Sequence, residues 1–163
     1  MMYATTGWEN FFVAEAGASA ALLGLLFVAV SINLTRVLQF PHLPGRAAEA
    51  LAVLVGVLVS ATCGLIPGQS PQLLGIELFV LGAIAWILPL PAQYRHARAE
   101  GTRLTWVIYR VASTQAATLP VLVAGASLYV ERGGGLYWLV PAVIFSFANA
   151  VIGGWVLLIE IQR

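Results

Sequence analysis

Two glutamates stand inside stretches that otherwise hold almost nothing but apolar side chains. Glu15 follows Phe11-Phe12-Val13-Ala14, and Glu77 follows Leu73-Leu74-Gly75-Ile76. A carboxylate placed in hydrocarbon is costly, so such residues are functional candidates by default, and a shared proton or a bound cation is the chemistry two of them could support. The structural reading is open beside it. Both fall near the start of an apolar run, where a helix N-terminus favours an anion and a side chain can reach headgroups. At about 100° per residue, Ser19 and Asn33 share an arc with Glu15, and Asn33 lies about 27 Å from Glu15 along the helix. That line reads as the wall of a narrow pore with an apolar middle, or as a core-facing stripe whose ends are hydrogen-bonded to neighbours.

Further along, Thr114 and Gln115 precede Pro120, and Asn149 interrupts the last apolar run. An unpaired amide at membrane depth costs several kcal/mol, so Gln115 and Asn149 require partners, as glue between helices or as the lining of a polar path. Arg110 is expected either to reach the cytoplasmic headgroups or to form a structural ion pair with Glu49. The remaining chemistry is sparse. His42 and His96 have no metal-binding spacing, and Cys63 is the single cysteine, leaving no intrachain disulfide and no multi-cysteine zinc site. No intramembrane histidine is present to act as base for a serine nucleophile. No catalytic residue, metal or cofactor is expected, and the chain does not read as an enzyme.

The elements that must carry these residues follow from composition. Of 163 residues, 60% are hydrophobic and 9% charged, against roughly 25% charged in a soluble domain. That surface excludes a soluble enzyme, and disorder is excluded with it. Eight arginines against seven glutamates leave a net charge of +1 and no basic field for nucleic acid. A bilayer core of about 30 Å needs about 20 apolar residues in a helix. Five runs qualify, at about 11–38, 47–66, 73–91, 104–130 and 136–161. Prolines and glycines separate them: Pro41, Pro44 and Gly45; Pro67, Gly68 and Pro71; Pro89 and Pro91; then Gly133, Gly134 and Gly135. The runs are continuous and show no alternation of about ten residues, which favours helices over a barrel. The expectation is an all-α transmembrane bundle of five spans in one domain, with four spans as the alternative.

Orientation is read from the arginines. Arg36 and Arg46 flank the first loop, Arg95, Arg98 and Arg103 crowd the third, and Arg163 ends the chain. By the positive-inside rule these segments are cytoplasmic, which gives an outside N-terminus and an inside C-terminus. Met1 to Asn10 carries no positive charge, so no signal peptide is expected. The basic loops fit a bacterial inner membrane.

Helices associate in lipid through small residues. Ala48, Ala52, Gly56, Ser60 and Gly64 recur every four residues in the second run, Ala142, Ser146, Ala150 and Gly154 in the fifth, and Ala16, Ala20 and Gly24 in the first. These stripes predict tight crossings, either within the chain or with another. Five helices make a thin bundle, so a homo-oligomer is expected, embedded in the lipid bilayer and open to a further membrane-protein partner.

The opening Gly7-Trp8-Glu9-Asn10-Phe11-Phe12-Val13-Ala14, then Gly17-Ala18-Ser19-Ala20-Ala21-Leu22 and Gly24-Leu25-Leu26-Phe27-Val28-Ala29-Val30-Ser31-Ile32-Asn33-Leu34, resembles that of small uncharacterised bacterial integral membrane proteins. The resemblance implies a multi-pass protein and carries no substrate, cofactor or site residue. The function expected is a small oligomeric channel or transporter for an ion or small solute, with Glu15, Glu77, Ser19, Asn33, Thr114, Gln115 and Asn149 as its polar residues. The alternative is a non-transporting assembly or regulatory subunit of a larger membrane complex.

Overall fold

A computed structural model describes residues 7–40, 43–91, 93–94 and 104–162, with the description limited to the backbone at 104, 106–107, 109–110 and 156–162. All regular structure among the described residues is helical: α1 (Glu9–Ile32), α2 (Leu34–Gln39), α3 (Leu43–Gly64), α4 (Pro71–Ile87), α5 (Leu104–Val130), a 3₁₀ turn (Gly135–Trp138) and α6 (Leu139–Gln162). Four stretches are long and apolar enough to cross a membrane: Glu9–Ile32, Leu43–Gly64, Val111–Val130 and Gly135–Trp155. The fifth expected span falls on α4, which has 17 residues and so a rise of about 25 Å.

The first run is divided. Asn33 leaves helical geometry, with φ −103° and ψ 16°, and its side-chain amide donates back to the Ala29 carbonyl at 2.9 Å. An asparagine can bond its own backbone in this way, which competes with helix continuation. α2 restarts with the Val37 amide on the Asn33 carbonyl at 2.9 Å. It ends at extended Phe40, the residue before Pro41, where the proline ring disfavours helix.

Two prolines expected to lie in turns sit inside first turns instead. α3 begins at Leu43 and contains Pro44 and Gly45, four residues earlier than the spacing predicts. Pro71 opens α4 behind Ser70, whose hydroxyl accepts from the Leu73 amide at 3.2 Å. Proline is suited to the start of a helix, because its missing N–H would have no partner there and its φ is already helical. After Ile87 the order reverses. Pro89 has no N–H to donate, α4 stops, and one further turn closes with the Gln93 amide on the Pro89 carbonyl at 2.9 Å.

The chain forms two compact units. One is built from Ile66–Phe145 and the other from Trp8–Leu65 with Ser146–Arg163. In the first, α4 and α5 run antiparallel with their backbones in direct contact. A Cβ added at Gly125 would stand 2.5 Å from the Phe79 nitrogen, and one at Gly75 would stand 2.8 Å from the Gly125 carbonyl oxygen. No side chain larger than hydrogen fits at either point. Leu74, Leu78, Ala124 and Leu128 are fully buried around this crossing.

In the second unit, α1 and α3 pack antiparallel. Phe12 lies against Gly64 at one end, and Leu26 and Val30 lie against Val37, Leu43 and Ala47 at the other. The buried line of α3 is Ala47, Ala50, Leu54, Val57 and Ala61. Much of the expected small-residue stripe is therefore rotated away from this contact: Ala48 and Ala52 are exposed, and nothing comes within 4 Å of a Cβ built on Gly56, whereas Gly64 meets α1 at the Phe12 ring. Leucine and valine fill the space between these helices, so close backbone approach is not used there. From α6, Ala150 is buried, Gly153 approaches Ala50, and Gly154 approaches Leu26.

Candidate functional site

The polar side chains inside the helices fall into two sets. In the Ile66–Phe145 unit several are joined across helices. Gln115 Oε1 accepts from the Trp86 indole N–H at 2.8 Å, which ties α5 to the end of α4. One residue away, Thr114 Oγ1 accepts from Gln93 Nε2 at 3.2 Å, and Gln93 is itself buried. Thr118 donates to the Thr114 carbonyl at 2.8 Å. The amide that hydrocarbon forbids to stand alone has found a partner, and the partner is an indole on the neighbouring helix. For Gln115 and Thr114 this is the arrangement of interhelical glue.

At the other end of the same unit, Glu77 Oε2 accepts from Gln69 Nε2 at 2.6 Å, while Gln72 Nε2 donates to Glu131 Oε1. Glu131 takes a left-handed φ of +54° at the end of α5, followed by Gly133, Gly134 and Gly135, all with positive φ. Buried Ser127 holds this turn by accepting from the Gly135 amide at 2.7 Å and donating to the Arg132 carbonyl. Trp138 Nε1 donates to the Gly133 carbonyl at 2.7 Å. Two carboxylates are thus each engaged by a glutamine, across the α3–α4 turn and between α4 and the segment that follows α5.

The Trp8–Leu65 and Ser146–Arg163 unit is different. Ser19, fully buried, donates to the Glu15 carbonyl at 2.6 Å, with the Ala16 carbonyl at 3.2 Å. Ser60 donates to the Gly56 carbonyl and Thr62 to the Leu58 carbonyl, both at 2.8 Å. Asn33 likewise bonds within its own helix. These groups quiet themselves locally and reach no neighbouring helix through those bonds. Glu15 is half-buried, and its Oε2 is enclosed with no hydrogen-bond partner among the described residues. Trp8, Phe11 and Phe12 stack edge to face just before it.

The remaining candidates are placed as follows. Asn149 and Glu49 are half-buried and both partnered. The proposed mate of Glu49 cannot be placed against it, because the Arg110 side chain lies outside the described residues, as do His42, His96 and the arginines of the third loop. Gly64, Ala150 and Gly154 are helix contacts, Ser60 is half-buried, and Gly56 is open. Among the described residues there is no group of three or more His, Cys, Asp or Glu side chains able to hold a metal ion.

Sequence reasoning missed Gln69, Gln93, Trp86, Ser127 and the Gly75–Gly125 contact. A signal for one of them was present: Gly75 and Gly82, seven residues apart in α4, both face α5, a spacing overlooked when small residues are sought only at intervals of four. The chain matches no protein-family model, no curated protein and no solved structure, so the polar groups themselves carry the functional reading.

Proposed function

We propose that the protein is a small integral membrane protein that moves an ion or small solute, assembled as a homo-oligomer in a bacterial inner membrane. Its N-terminus lies outside and its C-terminus inside, with five crossings. In this arrangement α4 makes the short crossing, extended by the helical turn that reaches Gln93. The arginine distribution supports the orientation. The observation that carries the transport reading is the carboxyl of Glu15, set in a mostly apolar span, with one oxygen enclosed and undonated among the described residues. A group of that cost persists where it acts on something.

Flux into liposomes containing the purified chain tests the reading, compared with empty liposomes and with a Glu15→Gln, Glu77→Gln double variant. The expected result is flux above the empty control that falls at least tenfold in the variant. No flux for protons or common ions, or equal flux in the variant, overturns it. The second reading, a non-transporting subunit that docks on a larger complex, draws on the small-residue face of α3 at Ala48, Ala52 and Gly56, which no helix of its own unit covers closely. It requires co-purification with a different membrane protein in mild detergent.

A further inference from the structure

We propose that Glu15 is a proton-binding site: the ligand of the intramembrane site is a proton held by this one carboxyl, and Glu77 takes no part in holding it. The inference rests on the membrane placement proposed above and names the ligand that placement admits.

Depth comes first. α1 has 24 residues and a length of about 36 Å, so a hydrocarbon core of about 30 Å centred on it leaves Glu15 about 6 Å inside the apolar slab. The choice of ligand follows from the residues that flank Glu15 along α1. A metal cation stripped of water needs about six oxygen ligands. Phe11, Phe12, Ala14, Ala16 and Ala18 offer none from their side chains. The hydroxyl one turn further on, at Ser19, spends its proton on the Glu15 backbone carbonyl. A proton needs a single oxygen. Binding forms one O–H bond on the carboxylate and removes its charge, release breaks that bond and restores the charge, and no other reactant is consumed.

The two carboxyls part company here. Glu77 already receives an N–H from Gln69 at 2.6 Å, whereas Glu15 Oε2 receives none among the described residues. Titratable and charged groups on the elements packed with α1 are few. α3 carries Arg46, Glu49 and Cys63, α2 carries Arg36, α1 itself carries Glu9, and the last part of α6 carries Glu160. Because Phe12 packs on Gly64, Glu15 is level with the Ala61 region, and Glu49 is about 18 Å away along α3. Cys63 is the α3 group nearest that level.

The test uses the full chain in liposomes. Treatment with dicyclohexylcarbodiimide, which adds to protonated carboxyls in apolar surroundings, is followed by peptide mass mapping and by proton flux measured with an entrapped pH dye. The expected result is an adduct on Glu15 that declines as pH is raised, none on Glu77, and proton flux that falls at least tenfold on labelling. A Glu77→Gln variant labels as the native chain does, which removes dependence on whether Glu15→Gln folds. An unlabelled Glu15, or labelling equal at both glutamates, overturns the proton site. Labelling of Glu15 without proton flux upholds the site and overturns transport. Flux of another ion with Glu15 unlabelled does the reverse.

Discussion

The helix pair α4–α5 and the helix pair α1–α3 solve the same problem in different ways. Lipid tails are as apolar as leucine, so neither pair gains by withdrawing apolar surface from water, and both depend on packing and on polar contacts. α4 and α5 meet backbone to backbone at Gly75 and Gly125 and are pinned by Trp86–Gln115 and Gln93–Thr114. α1 and α3 meet at Phe12 on Gly64 and through Leu26 and Val30 against Leu43 and Ala47, while Ser19, Ser60 and Asn33 bond inward to their own helices. In one pair polar groups are fasteners. In the other, Ser19, Ser60 and Asn33 bond within their own helices, and Glu15 Oε2 has no hydrogen-bond partner among the described residues. A polar group already used to hold two helices together is poorly placed to bind and release a ligand, which supports placing the proposed proton site on α1.

The sharpest way to break this contrast is to add bulk at matched glycines. Gly125→Leu is expected to cost about 3 kcal/mol or more, because overpacking is relieved only by moving backbone, and the atoms a Cβ would strike are those of Phe79. Gly56→Leu meets open space and is expected to change stability by less than about 0.5 kcal/mol, as surface substitutions do. Thermal unfolding in detergent compares the two, and equal losses would abolish the distinction drawn between the pairs. A smaller effect sharpens it. Gln115→Leu is expected to cost about 0.6 kcal/mol, the typical worth of a hydrogen bond between helices in a membrane, and to show coupling with Trp86→Phe in a double-mutant cycle. Ser19→Ala, which removes a bond within one helix, is expected to be nearly neutral in the same assay.

Much of this architecture could be read in advance, and the residues that could not be read have physical reasons. The apolar runs of α5 and α6 were legible almost to the residue, because hydrocarbon length and the glycines at 133–135 constrain them. The starts of α3 and α4 were not, since Pro44 and Pro71 look like breakers in sequence and act as helix starters in space. That Gln115 must be paired followed from the cost of an orphan amide. That its partner is Trp86 did not, because the two residues are 29 positions apart and meet only once α4 packs on α5. Gly75 and Gly125, separated by 50 positions, have meaning only once the helices cross. Likewise Glu15 and Glu77 are indistinguishable as residues in apolar runs, and only the placement of Gln69 separates them.

Infrared absorption by the carboxyl C=O of protonated glutamic acid tests the difference between those two carboxyls most directly. The full chain in lipid is expected to show a protonated-carboxyl band at neutral pH that disappears in Glu15→Gln and persists in Glu77→Gln. A band that survives Glu15→Gln, or that is lost in Glu77→Gln, would contradict the account.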